Sequence, residues 1–206
     1  MKFSNIRNTI TMPSKLLLLL LVFFTTAAQA QTLSTLPEAG ETTIGVSAAL
    51  GSSLDGYTSA DRYSFQLQAG QCVRRRVVVG GHAEAFLYRD GWYTNGEGKS
   101  GYYDKNNMLT AGPYVRYYVF PVLYVQLQTG LGINQQQKTR GDVVTAAWQA
   151  GNSMGLEVKL HKKLSAELFA KHALQQAFSF RNRPGYPVTF YTAFIGVSIK
   201  GHLSKN

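Results

Sequence analysis

Cysteine is all but missing from this chain. Cys72 stands by itself, which excludes a disulfide framework and a multi-cysteine metal site. It reads as a buried thiol rather than a reactive one. Long apolar runs are missing too. The longest, Leu16 to Phe24, is about nine residues, where a helix crossing a membrane needs about twenty. Any crossing must therefore be made by strands, because only helices and closed barrels satisfy every backbone group in lipid. Helical periodicity is hard to find beyond Thr42. Position 31 is Gln rather than Cys, so a lipid-modified N-terminus of the lipoprotein kind is not available.

The short apolar run that does exist has a different meaning. Lys2, Arg7 and Lys15 form a basic region before it, and Ala28-Gln29-Ala30 after it offers a small-x-small cleavage pattern. Residues 1–30 are therefore expected to be a cleaved signal peptide, 31–40 a short periplasmic lead, and 41–206 the folded domain. Losing the three basic residues of the signal takes the formal charge from +10 to about +7. The remaining excess sits at Arg74-Arg75-Arg76, at His161-Lys162-Lys163 and around Lys138 to Arg140. Such short clusters suit anionic headgroups or phosphates. With an export signal in place, nucleic acid is not expected as a partner.

What fills the mature chain is alternation with period two, the signature of strands with two unlike faces. One face carries Ile44, Val46, Ala48 and Leu50; then Phe65 and Leu67; then Val77, Val79, Ala83, Ala85 and Leu87. It continues with Leu109, Ala111, Val115 and Val119, and with Leu123, Val125, Leu127 and Leu131. The opposite face carries Gln66, Gln68, His82, Glu84, Arg116, Gln126 and Gln128. Three more segments, Val144–Leu160, Leu164–Lys171 and Thr189–Lys200, bring the count to eight. Eight is the smallest common size for a closed outer-membrane barrel.

The connections alternate as well. Arg74 to Arg76, Phe120 to Val122 and His161 to Lys163 are tight; Ser52 to Arg62, Arg89 to Asn107, Asn134 to Asp142 and Gln175 to Pro187 are long and polar. With the N-terminus in the periplasm, every short turn is periplasmic and every long loop extracellular, the asymmetry of outer-membrane barrels.

Alternation cannot by itself say which face looks outward, since a soluble lipocalin-like carrier has the same period with the faces exchanged. Three features point the apolar face to lipid. The polar face is rich in Gln, Ser, Thr, Gly and Tyr rather than in Lys and Glu. Its charges have both signs, Glu84, Glu157 and Glu167 against Arg116, Lys159, Lys171 and Lys200, and can pair inside a narrow barrel. Tyr63 and Tyr191 near the loop end and Tyr117 near the turn end fit interfacial girdles. The expected fold is an all-β, eight-stranded antiparallel transmembrane β-barrel.

The segment Gly112-Pro113-Tyr114-Val115-Arg116-Tyr117-Tyr118-Val119-Phe120-Pro121, followed by a strand ending Gly130-Leu131-Gly132, resembles the outer-membrane β-barrel domain family of small OmpA/OmpX-like proteins. Leu160 to Glu167 is similar to that family's third hairpin. The resemblance spans the mature chain through short motifs and implies an outer membrane of a Gram-negative bacterium, contact with its lipids including lipopolysaccharide, and insertion by the barrel-assembly machinery. It identifies an architecture better than an activity. Where the family ends on an aromatic, this chain has Gly201 after Lys200 and runs on to Asn206.

Among candidate chemistries, the charge set Glu84, Arg116, Glu157, Glu167 and Lys171 reads as a static plug in a lumen with little room beyond its own side chains. A gated small pore is the porin-like alternative. His202 with Ser204 is a His-x-Ser pair of the kind a lipid A deacylase uses, but it is expected past the end of the last strand and with no acid in reach. Arg140-Gly141-Asp142 spells an adhesive tripeptide, yet Gly-Asp is ordinary turn chemistry. Trp92, Tyr93, Tyr102 and Tyr103 in the second long loop are candidates for gripping a surface partner, or for folding onto the barrel rim. His82 reads as a lumen hydrogen-bonding residue, and neither a metal nor a cofactor is expected. The function these features imply is a non-enzymatic envelope protein acting through structure or through its loops.

Overall fold

The computed structural model describes residues 36–53, 62–88, 92–94, 100–102, 106–136, 143–178 and 188–203. All belong to one compact unit, Ser34–Asn206. The expected signal peptide, Tyr103, Arg140 to Asp142 and Ser204 lie outside the described residues.

Among the described residues, ten strands run in chain order: β1 (Thr42–Ser53), β2 (Arg62–Arg74), β3 (Val77–Tyr88), β4 (Trp92–Thr94), β5 (Ser100–Tyr102), β6 (Asn106–Tyr118), β7 (Leu123–Gln136), β8 (Val143–His161), β9 (Leu164–Phe178) and β10 (Val188–Leu203). Eight of them close into an antiparallel barrel in the order β1-β10-β9-β8-β7-β6-β3-β2. Closure is made by β1 on β10, from Thr42 opposite Leu203 to Ser53 opposite Thr192. A closed ring leaves no edge of unpaired amides.

Two details depart from the sequence reading. The second long loop contains a small hairpin in which Trp92 pairs with Tyr102, Tyr93 with Gly101 and Thr94 with Ser100. The last strand also runs three residues beyond Lys200, through Gly201 and His202 to Leu203. The tight turns are as short as expected. Arg75 and Arg76 join β2 to β3, with Arg76 at φ 76°, a left-handed conformation that costs a side-chain-bearing residue about 1–2 kcal/mol. A register shift between Cys72 and Arg74 lets the strand reach that turn. In the next turn, Phe120 and Leu123 exchange both backbone hydrogen bonds at 3.2 Å.

The apolar face looks outward on every strand of the ring. Leu131 is 71 % exposed, Ile195 67 % and Leu50 66 %, while Arg116 on the other face is 2 % exposed. Phe65, Val79, Leu109, Leu127, Met154, Leu164 and Val197 continue the outer belt. In water such a girdle would far exceed the few hundred Å² of contiguous apolar surface a soluble monomer tolerates. In acyl chains it is the matching surface. The lipocalin-like arrangement, with its faces exchanged, is thereby excluded.

The interior is filled where backbones give way to rings. A Cβ on Gly155 would stand 2.6 Å from the Tyr124 hydroxyl and 2.8 Å from the Leu168 carbonyl. Glycine on β8 thus makes the space in which Tyr124 of β7 crosses the lumen.

Candidate functional site

On β8 and β9, Glu157 and Glu167 face each other directly across the register. Two carboxylates so placed repel unless cations lie between them. The barrel supplies two cations, Arg116 from β6 and Lys200 from β10. Arg116 Nη1 donates to Glu157 Oε2 at 3.3 Å and also bonds Glu167, whose second oxygen takes Nη2 at 3.4 Å. Lys200 Nζ lies 2.9 Å from Glu157 Oε2 and also pairs with Glu167. The hydroxyls of Tyr118 and Tyr124 donate to Glu157 at 2.6 Å and Glu167 at 3.2 Å. All four charged groups are at most 3 % exposed, so their desolvation is offset by pairing and hydrogen bonding together.

Nearer the loop end, Lys171 Nζ bonds both oxygens of Glu84, which also accepts from Ser64, Gln128 and Gln149. The two ionic groups are joined through glutamines. Arg116 Nε donates to Gln126 Oε1 at 2.9 Å, Gln126 Nε2 to Gln128 Oε1 at 3.0 Å, and Gln128 Nε2 to Glu84 Oε2 at 2.9 Å. An amide has a donor at one end and an acceptor at the other, so it can pass a hydrogen-bonded chain between charges of opposite sign. Above this layer, Phe86 and Phe194 cross the lumen with centroids 5.8 Å apart, beside buried Met108. Tyr88 bonds Gln175 and lies under the Arg62 guanidinium, at 5.3 Å. The cavity beside Arg116, Tyr124 and Lys171 measures about 10 Å³, room for no more than one water.

The predicted lumen residues Glu84, Arg116, Glu157, Glu167 and Lys171 thus lie inside one barrel, in two ionic groups rather than one. Arg116 takes Glu157 and Glu167, not Glu84. Lys200, Gln126 and Gln128 complete the network, and the alternation had already put them on the same face. The aromatic layer was not read from the sequence, although Phe86 is in phase with Glu84, and Phe194 with Thr192. His82 faces the lumen, 5 % exposed. Of the loop aromatics, the backbone pairing of Trp92, Tyr93 and Tyr102 is what the structure describes.

His202 requires a correction. It does not sit past the strand but within β10, opposite Thr43 and buried, and an acid is in reach. Glu41, just before β1, bonds Nδ1, and Ser165 Oγ lies 2.8 Å from Nε2. The order Glu41–His202–Ser165 has the outline of a catalytic triad, with Ser165 in the place expected of Ser204. The proton inventory argues otherwise. The single hydroxyl proton of Ser165 goes to Glu157 Oε1 at 2.7 Å, so towards His202 this oxygen accepts. A serine nucleophile must give its proton to the imidazole. Ser165 is also 0 % exposed. Glu41 and His202 instead tie the N-terminal lead to the floor of the barrel, where the Glu38 amide donates to Glu41 Oε2 at 2.9 Å. Cys72 is buried beneath the same lead, its Sγ 3.4 Å from the Pro37 carbonyl. Among the described residues, no three His, Cys, Asp or Glu side chains gather as metal ligands would.

An outward apolar girdle around a cross-bonded ionic interior defines a class: the fold is that of the small eight-stranded outer-membrane β-barrels. Solved structures of that class resemble the chain. Neisserial surface protein A matches 78 % of this chain and 95 % of its own, with TM-score 0.50 at 10 % identity. OprG of Pseudomonas aeruginosa matches 81 % and 98 %, with TM-score 0.48 at 13 % identity. Ail of Yersinia pestis, solved with the heparin analogue sucrose octasulfate, matches 79 % and 99 %, with TM-score 0.45 at 18 % identity. The first of these carries the comparison, and at such identity the likeness is one of fold. No protein-family model and no curated protein matches the chain.

Proposed function

We propose that the chain is a non-enzymatic protein of the Gram-negative outer membrane with a closed lumen, exported through a cleaved signal peptide at residues 1–30. Residues 31–40 form a periplasmic lead and 41–206 the barrel. Its role is in envelope structure or in surface contact through the long loops, with Trp92, Tyr93, Tyr102 and Tyr103 as partner contacts. Outer-membrane lipids including lipopolysaccharide surround it, and the barrel-assembly machinery inserts it.

The observation that carries this reading is the pairing of an exposed apolar outer face with charges that satisfy one another inside. An ionic bridge from Arg116 through the glutamines to Glu84, roofed by Phe86 and Phe194, favours a plug over a conduit. The commitment of the Ser165 proton to Glu157 favours a structural over a hydrolytic role for His202.

Cell fractionation and gel migration test the reading. The protein should be found in outer membranes and migrate differently in SDS before and after boiling, as closed barrels do. It should show no steady conductance in planar bilayers and no turnover of lipid A. Recovery in the soluble fraction without detergent would refute it. Lipid A hydrolysis lost on changing His202 or Ser165 would replace it with an enzyme.

A further inference from the structure

At the turn end, the lead that precedes β1 folds beside a cavity of about 680 Å³ bounded by the β2–β3 turn, the β8–β9 turn and the end of β10. Arg75, Lys159, Lys162 and Lys163 line it. Their situation is the reverse of the lumen's. Arg116, Lys171 and Lys200 each meet a carboxylate inside the barrel. The four cations of the mouth make no ion pair with any described residue. Two acids share the lining: Glu41 is taken by His202 and by the Glu38 amide, and Glu38 offsets only one of the four positive charges. A concave site with several unmatched positive charges is matched by an anion that brings its own oxygens.

We propose that this mouth binds a phosphate-bearing anion, supplied in the membrane by the headgroup of an anionic phospholipid of the inner leaflet. The assignment to lipid rests on the outer-membrane reading above and on depth. Tyr117, 46 % exposed on the outer face, is opposite Val77, the first residue after the β2–β3 turn. An outward tyrosine at that level marks the membrane interface and puts Arg75 just beyond it, among headgroup phosphates. The cavity is partly walled by Leu36 and Pro37, apolar enough to border a glycerol backbone.

The test uses the full mature chain in nanodiscs of phosphatidylcholine with a minor fraction of phosphatidylglycerol, reading retained lipids by native mass spectrometry. The unaltered protein should retain phosphatidylglycerol over phosphatidylcholine. Replacing Arg75, Lys159, Lys162 and Lys163 by Ala should lower that preference by roughly tenfold or more, because each removes a basic residue near an anionic surface. Arg74→Ala should leave it intact, since Arg74 is exposed at the same rim but does not line the cavity. Heat-dependent migration verifies folding of each variant, and Lys162→Gln with Lys163→Gln, confined to an exposed turn, gives a milder version. A parallel phosphorus NMR titration with inorganic phosphate in neutral detergent separates the sources. Phosphate binding lost in the fourfold variant, without a lipid preference, assigns the site to the free ion. Equal behaviour of the parent and fourfold variant in both arms overturns the site, as does an equal loss on Arg74→Ala. A protein that will not enter nanodiscs defeats the outer-membrane reading instead, and the detergent titration still decides the cavity.

Discussion

The Arg116 guanidinium lies over the Tyr124 ring, its Cζ 3.7 Å from the centroid, while its nitrogens reach the two acids Glu157 and Glu167. The ring covers one face of the fork and the carboxylates of β8 and β9 hold its nitrogens. Arg116→Met should therefore cost about 3–5 kcal/mol, because it leaves two buried carboxylates with one lysine, Lys200, and neutral hydroxyl donors. Urea unfolding in lipid vesicles measures this. Arg116→Lys should recover only part of this, since an ammonium loses the Nε bond to Gln126 and the two-nitrogen grip on Glu167.

Glu84 and Lys171 form the second ionic group, and removal of either should be worse than removal of both. Glu84→Gln or Lys171→Met leaves an uncompensated buried charge, at roughly 3–5 kcal/mol; the double variant should be milder than either. A double-mutant cycle that sums additively would show that the two side chains do not depend on each other.

Gly155 is required by packing. Gly155→Ala should destabilise the barrel by about 1–3 kcal/mol, the usual cost of overpacking. Combined with Tyr124→Phe, which removes the hydroxyl 2.6 Å from the new methyl, part of that loss should return.

The outer face predicts a dependence on depth. Leu131, within β7, is 71 % exposed, and Leu203 closes β10 at 53 %. Leu131→Arg should cost about 2–4 kcal/mol in a bilayer and Leu203→Arg about 0–1, because the penalty fades towards the interface. Equal costs at the two sites would contradict the placement of lipid.

Much of this was legible in the chain because a strand's side chains alternate with period two, so parity alone assigns a face. Ile44 outside and Glu84 inside follow from counting. Parity does not say which inward residues meet across a barrel. The bond of Arg116 to Glu157 and Glu167 depends on how far neighbouring strands are staggered, and no local pattern records that. His202 was misjudged for a related reason. Gly201 looked like the end of the last strand, although His202 keeps the inward phase of Ser198 and Lys200. One step of the same phase before Thr43 reaches Glu41, its partner. The β4–β5 hairpin escaped because its strands are three residues each, too short for alternation to show.

Spin labelling along β7 probes the orientation of the wall directly. In a Cys72→Ser background, single cysteines from Val125 to Leu131 would carry a nitroxide in lipid vesicles, with oxygen and a water-soluble nickel chelate as relaxing agents. Oxygen accessibility should peak at Val125, Leu127, Thr129 and Leu131 and fall at Gln126, Gln128 and Gly130, with the chelate excluded throughout. A chelate reaching Leu127 and Leu131 as readily as oxygen would mean that water, not lipid, covers the apolar side.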